Sequence, residues 1–330
     1  MKRRDLLQMT TILGLSASLP QAAVSVERPE TADNTAGHPM TSAPLIPPVN
    51  GSIPVAFLIS DGAVVIDFAG PWEVFEHAYV PERARQADHG RAPVFSVYTV
   101  AETTKPIRAS GGMTIVPSYS LVSAPRPKVL VIPAQSDPSD AVLDWVRDVS
   151  RTTDVTMSVC TGAFLLARTG LLAGKPVTTH HSAYTELAMA FPGIDVKRGA
   201  RFVESGNLAS AGGLSSGIDL ALHVVERYFG RNSATLTADV LEYQGLGWMN
   251  GDSNGVYAKR RVSTAGHPLC AVCEMDVDAV TAPKSVYLDK TYYFCMDAHK
   301  KAFDAHPNNF ADDCAVKRSA EWVHSALAVY

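Results

Sequence analysis

The chain has 330 residues, enough for one large domain plus a smaller one, or for two of medium size. With 46% hydrophobic and 19% charged residues, its composition is ordinary for a soluble globular protein. A net charge of −4, with no basic block beyond the first few positions, argues against a nucleic-acid-binding surface.

The N-terminus reads as an export signal. Lys2-Arg3-Arg4-Asp5-Leu6-Leu7 sets paired arginines before apolar residues, 9–19 form a short apolar region, and Ala23-Val24-Ser25 is a small-x-small cleavage site. A twin-arginine signal is expected over 1–25, with an ordinary secretory signal or a frayed basic end as alternatives. The apolar run is too short to span a bilayer, so no stable membrane insertion is expected after cleavage. The mature protein is expected to be periplasmic or secreted. Residues 26–50, rich in Pro, Thr, Ala and Ser and without periodicity, read as a linker.

From residue 53 the pattern changes. Pro54-Val55-Ala56-Phe57-Leu58-Ile59 is a near-continuous apolar run, the mark of a strand buried on both faces. Asp67-Phe68-Ala69-Gly70-Pro71 reads as a turn, with Pro71 in the first turn of a helix through Val74, Phe75 and Ala78. Residues 94–100 and 129–132 read as the next strands, and Val142, Trp145, Val146 and Val149 share one helix face. A β-branched run at 155–159 leads through Cys160-Thr161-Gly162 into an Ala/Leu helix. Residues 175–180 read as a short strand before a helix through Tyr184, Leu187 and Ala188. Residues 201–203 and 207–211 read as strands joined at Ser205-Gly206. Ser215 or Ser216 then caps a helix carrying Ile218, Leu222, Val225 and Phe229 on one face, stopped by Gly230. Strands alternating with helices predict an α/β domain with a parallel sheet over 51–232.

Residues 233–262, where regularity fails among Gly, Asn and Ser, read as a second linker. The last module, 263–315, is small. Lys284–Tyr287 and 291–294 predict a hairpin around Leu288-Asp289-Lys290, followed by a short helix through Ala302 and Phe303 and a tail at 316–330. A module of roughly 50 residues buries little core and calls for a metal or disulfides.

Of the five cysteines, Cys160 stands alone, whereas Cys270, Cys273, Cys295 and Cys314 crowd the C-terminal module. At its strand-to-helix turn, Cys160 faces the positive end of a helix dipole, which is expected to lower its pKa and make it nucleophilic, with the Thr161 N–H toward an oxyanion. The alternative is a buried, inert thiol. Active sites of open α/β sheets lie at the carboxyl ends of the strands, where Asp67, Cys160 and His180 are predicted. Asp67 either relays a proton to the thiol or is a turn or cap residue; His180 or His181 is a candidate base, one of the two being exposed. Cys270-x2-Cys273 with Cys295-x3-His299 is a plausible four-ligand set for zinc or copper, with disulfides, Cys314 included, as the alternative.

The segments Asp67-Phe68-Ala69-Gly70-Pro71, Val159-Cys160-Thr161-Gly162-Ala163, Gly170-Leu171-Leu172-Ala173-Gly174-Lys175, Thr178-Thr179-His180 and Ala211-Gly212-Gly213-Leu214-Ser215-Ser216-Gly217-Ile218-Asp219 resemble, in order, the DJ-1/PfpI superfamily. Within it the chain is similar to isonitrile hydratases and to the sensor domains of AraC-type regulators. The resemblance implies a flavodoxin-like three-layer sandwich, usually a homodimer, acting on a small molecule without a cofactor. It assigns Cys160 as nucleophile, Asp67 as the acid beside it, Thr161 as the adjacent hydratase residue and His180 as a nearby histidine. Ala134, Gly70 and Gly213 fall where the family binds an oxyanion or substrate, although Pro133-Ala134-Gln135-Ser136 replaces a common Gly-Gly. Thr161 in place of histidine argues against a peptidase, Ser158 in place of glycine against a glutamine amidotransferase, and no helix-turn-helix pair follows. Residues 266–312 resemble the YHS family through Val272-Cys273-Glu274-Met275-Asp276-Val277, Ala282-Pro283-Lys284-Ser285, Tyr292-Tyr293-Phe294-Cys295, Phe303 and Pro307, with Glu274 in place of a common glycine. That resemblance implies a small α+β metal-binding module. The expected function is an exported cysteine-dependent hydratase or hydrolase; the alternative is a non-catalytic metal-handling or redox-sensing protein.

Overall fold

A computed structural model describes residues 43–84 and 93–310. The expected signal, the linker up to residue 42, Cys314 and the tail lie outside the described residues. In chain order the elements are β1 (Ile53–Leu58), α1 (Val65–Glu76), α2 (Pro81–Ala84), β2 (Phe95–Ala101), β3 (Ile107–Arg108), β4 (Thr114–Ile115), β5 (Tyr119–Ser120) and β6 (Val129–Ile132). They continue as α3 (Asp140–Val149), β7 (Val155–Val159), α4 (Gly162–Arg168), β8 (Pro176–Val177), α5 (Tyr184–Ala190), β9 (Asp195–Val196), β10 (Phe202–Ser205), β11 (Leu208–Ala211) and α6 (Ser216–Val240). The C-terminal module holds β12 (Lys284–Tyr287), β13 (Lys290–Tyr293) and α7 (Asp297–Ala305).

The main sheet has the order β10-β11-β7-β6-β1-β2-β5 and is parallel except where β10 pairs with β11. Its strands are apolar at successive positions because both faces are covered. Val55, Phe57, Val131 and Met157 pack in one core with residues of α1 and α6, whereas Ala56, Leu58, Leu130 and Ile132 pack in the other with residues of α3 and α4. The result is the α/β domain with a mostly parallel sheet expected from the alternation of elements, in the flavodoxin-like sandwich that the resemblance implied. No helix among the described residues is long and apolar enough to cross a membrane.

Four expectations change in detail. The helix α1 starts at Val65, so Asp67 lies in its first turn, not in a preceding turn, and Pro71 is interior. Its early start is held from outside: Val64 N donates to Ala134 O (2.8 Å) and Val65 N to Ser110 Oγ (3.0 Å), satisfying amides at the helix start. The strand expected at 175–180 is only β8, which pairs with β9 outside the main sheet. Gly230 does break α6, at φ +82°, but a further helical segment follows it to Val240. The stretch expected as a linker is therefore packed: Ala234, Ala238 and Trp248 join the core, and Tyr79 N donates to Thr237 Oγ1 (2.9 Å).

In the C-terminal module the two-residue hairpin turn puts Leu288 at φ +49° and Asp289 at φ +58°, the primed geometry that matches strand twist. Phe294, Phe303, Phe310, Tyr292 and Val272 form its core together with Cys270 and Cys273, and Met189 of α5 packs against it.

One glycine fixes how closely α4 meets the sheet. A Cβ on Gly162 would sit 2.2 Å from Ile132 O and 2.7 Å from Pro133 O, backbone atoms that cannot rotate away. Gly162→Ala is expected to cost about 3 kcal/mol or more. An unfolding midpoint in denaturant equal to that of the parent chain would contradict this.

Candidate active site and thiol cluster

The strand β7 ends in a sharp reversal. Cys160 takes φ +58°, a left-handed conformation that costs a non-glycine residue roughly 1–2 kcal/mol. The surroundings enforce it: Cys160 N donates to Gly212 O (2.9 Å) and Ala211 O (3.2 Å), and Thr179 Oγ1 donates to Cys160 O (2.8 Å). The thiol is thereby pinned between the carboxyl end of the sheet and the start of α4.

Asp67 is fully buried beside it. Burial pushes its carboxyl up to about 7, while hydrogen bonds from the Ala134 amide and the Cys160 thiol oppose that rise. Ala134 N donates to Asp67 Oδ2 at 3.1 Å; Oδ1 is buried with no nitrogen or oxygen donor among the described residues. A buried carboxyl oxygen without a nitrogen or oxygen donor favours the protonated form.

The expected depression of the thiol pKa is not what the structure gives. Burial, and then the Asp67 carboxylate, push Cys160 up to about 11, against the Thr161 and Leu214 amides and the Thr161 hydroxyl, which pull it down. The physical reason is that α4 is only seven residues long, so its N-terminal dipole is outweighed by desolvation and a like charge. Burial thus favours the protonated form of the Cys160 thiol, beside a carboxyl that burial raises to about 7.

The other predicted residues divide. Ala134 spends its N–H on Asp67, so the expected oxyanion donor is already committed; the Thr161 and Leu214 amides at the sulfur take that place. Gly70 packs against α6, where a Cβ would come 2.8 Å from Ile218 Cγ1. Gly213 makes room for His180, whose Cδ2 would lie 2.5 Å from a Cβ there. His180 Nδ1 accepts from Ser182 N (3.3 Å) and lies 2.8 Å from Ser182 Oγ, so its Nε2 carries the proton in the neutral ring. Burial and His181 lower its pKa, which keeps it neutral. No hydrogen bond joins His180 to Cys160 or Asp67 among the described residues. It forms the rim of the site, and Asp67 holds the position of the base.

Three contributors had no role assigned from the sequence, although Thr179 and Leu214 lie within the family-like segments. Leu214 (φ +38°) presents its amide to the sulfur from a backbone shape that its residue type does not announce. Thr179 is one of several threonines. Arg201 braces the turn at 212–215 from below: its Nε donates to Asp219 Oδ2 (2.6 Å), Nη2 to Ser215 Oγ (3.0 Å) and Nη1 to Asn254 Oδ1 (3.3 Å).

In the C-terminal module, Cys270, Cys273, Cys295 and His299 converge with all ligand atoms within 4.8 Å of one another. Cys270 Sγ and Cys295 Sγ lie 3.4 and 3.2 Å from His299 Nδ1, and Cys273 Sγ lies 3.5 Å from Cys295 Sγ. A disulfide needs about 2.05 Å, and all three thiols are free. Hydrogen bonding from Cys273, with His299 also contributing, holds Cys270 far below the usual thiol range; Cys270 in turn pushes Cys273 up and raises His299. A tetrahedron with metal–sulfur bonds of about 2.3 Å has edges near 3.8 Å, so the four atoms fit a thiophilic ion such as zinc or copper.

The DJ-1/PfpI family profile matches residues 54–227. An isonitrile hydratase of Pseudomonas putida is 29% identical over 58% of this chain and 79% of its own length. An HTH-type transcriptional regulator of Pseudomonas aeruginosa is 25% identical over 48% of each chain, so this chain spans about half of that relative. The crystal structure of a ThiJ/PfpI family protein from Pseudomonas syringae superposes with a TM-score of 0.51 at 25% identity, covering 66% of this chain and 84% of the other.

Proposed function

Because the chain belongs to the DJ-1/PfpI family, we propose that its sandwich is a cysteine-dependent hydratase of a small molecule, isonitriles first among them, joined to a module that binds zinc or copper. The observation that carries the reading is the buried Asp67 carboxyl hydrogen-bonded by the Cys160 thiol at the carboxyl end of β7. Asp67 takes the thiol proton as sulfur adds to the terminal carbon of the isonitrile, forming the C–S bond. The same proton then goes from Asp67 to that carbon, giving a thioimidate. Water adds to the thioimidate carbon, the C–S bond breaks, the sulfur regains a proton and an N-substituted formamide leaves. The Thr161 and Leu214 amides stabilise the charge that develops at the sulfur. Cys270, Cys273, Cys295 and His299 would hold the metal, which supplies structure to the small module and no step of this reaction.

Purified protein is expected to convert a simple alkyl isonitrile to the formamide, with Cys160→Ala reducing the rate by about 10³-fold or more. Absence of formamide from a folded, thiol-intact protein would remove this reading. A second reading, a sensor or metal-handling protein without turnover, is favoured by the protonated state of Cys160 and by the regulators among the relatives. We also propose export by the paired arginines at 3 and 4, and a homodimeric state; signal cleavage in a bacterial host and the mass in solution test them.

A further inference from the structure

Glu274 follows the last residue of the Cys270-x2-Cys273 turn and takes φ +62°, a shape suited to glycine. A glutamate kept there needs a compensating contact, and the structure provides one with the other domain. Arg198 Nη2 donates to both Glu274 oxygens (2.9 and 3.0 Å), Arg261 N donates to Oε2 (3.0 Å), and Arg260 Nε lies 3.5 Å from Oε1. The Glu274 side chain is only 8% exposed, so this is no loose surface pair.

The contacts continue to the nucleophile. The Arg198 guanidinium lies over the Tyr184 ring (4.9 Å), and Tyr184 OH accepts from Gly199 N (3.2 Å). Lys197 O accepts from Thr178 Oγ1 (3.0 Å), and the next residue, Thr179, bonds the Cys160 carbonyl. A second line runs through rings: Tyr257 stacks on His181 (4.2 Å, 11°), His181 lies 4.2 Å from His180, and His180 rests against Gly213 beside Leu214.

We propose that Glu274 is a positioning residue that ties the thiol cluster to the rim of the Cys160 site, so that occupancy of the cluster by a soft divalent ion sets access to Cys160. The coupling to occupancy rests on the metal reading above; the positioning role does not. An ion on Cys270 and Cys273 rigidifies the turn that aims the Glu274 carboxylate at Arg198. Loss of the ion loosens that turn, and with it the loop at 197–201 and the His180 rim.

The test follows iodoacetamide alkylation at Cys160 by peptide mass spectrometry, in the full chain with zinc and after chelation, with zinc content measured separately. No substrate is involved, so failure of the hydratase reading leaves the result interpretable. In the parent chain, chelation is expected to accelerate alkylation of Cys160 about fivefold or more. In Glu274→Gly, which relieves the backbone strain, alkylation is expected to be fast and equal with or without zinc, while Glu274→Gln retains part of the difference. Should Glu274→Gly release the ion, Arg198→Met, remote from the thiols, is expected to give the same fast, zinc-independent rate. Slow alkylation in both Glu274→Gly and Arg198→Met would overturn the proposal, as would a parent rate unmoved by loss of bound zinc. If no zinc binds, the metal reading fails alone, and faster alkylation in the two variants still decides the role of Glu274.

Discussion

Asp67→Asn is expected to lower the rate of isonitrile hydration by about 10²–10⁴-fold, to abolish its rise near pH 7 and to make the protein more stable at neutral pH. The kinetic part follows from the proton count. Productive enzyme holds a single proton on the Asp67–Cys160 pair, which is the case between the carboxyl value of about 7 and the thiol value of about 11. Below pH 7 a second proton binds, Asp67 can no longer accept from the thiol, and kcat/KM is expected to fall about tenfold per pH unit. Asparagine has no such titration, so the limb disappears along with the rate. In the same variant the Cys160 thiol is expected to titrate lower, because the carboxylate that raises it is gone. A thiol titrating higher in Asp67→Asn would mean that Asp67 favours the thiolate, the reverse of this account.

The stability part has a definite sign. Burial raises Asp67 from 3.8 to about 7, so the folded state binds this proton more tightly than the unfolded chain. The penalty for ionising it in the fold is absent below pH 3.8, grows between 3.8 and 7, and reaches about 4 kcal/mol above that. Asparagine escapes it, and urea unfolding is expected to give a gain at pH 8 that vanishes near pH 4. A destabilised variant at pH 8 would show that the Ala134 amide bond to the carboxylate outweighs the burial cost.

The pair itself was half legible in the sequence. A β-branched run entering Cys160-Thr161-Gly162 marks a strand-to-helix turn, because few residue orders other than this reverse the chain so tightly. What the turn does to the thiol was misjudged, since a dipole can be guessed from residue order but the depth of burial cannot. Asp67 sits in the first turn of α1 only because Val64 and Val65 bond to distant Ala134 and Ser110. Such a helix start leaves no capping signature. The same limit hid Leu214, an ordinary residue with an extraordinary backbone, and the packing of 233–262, whose Gly and Asn residues look like a linker until Trp248 and Ala234 are seen in the core. The grouping of Cys270, Cys273, Cys295 and His299 was legible from spacing, with disulfides as the alternative, and their side chains do converge, whereas Glu274 at a glycine-like position became meaningful only once Arg198 stood opposite.

Stripping metal from the thiol cluster is expected to unfold the C-terminal module while the sandwich stays intact. The module's core is a handful of side chains, Phe294, Phe303, Phe310, Tyr292 and Val272 among them, and two of its buried residues are the candidate ligands Cys270 and Cys273. So small a core contributes only a few kcal/mol, whereas a zinc ion on thiolates contributes about 10 kcal/mol or more. Without the ion, burial opposes a thiolate at Cys270, and only the hydrogen bonds from Cys273 and His299 offset that cost. Calorimetry is therefore expected to show two transitions in the zinc-loaded chain, the one belonging to 263–310 disappearing with chelator or in Cys295→Ser. Limited proteolysis is expected to cut that module first while 53–230 survives. Metal affinity is expected to fall as pH drops, because protons compete for the thiolates. If calorimetry gives the same transitions with and without chelator, the four side chains are a reduced thiol cluster of the core and not a metal site. Folding of the module would then rest on its apolar core, with the ring contacts of Phe303 to Tyr287, Tyr292, Phe294 and Phe310 at its centre.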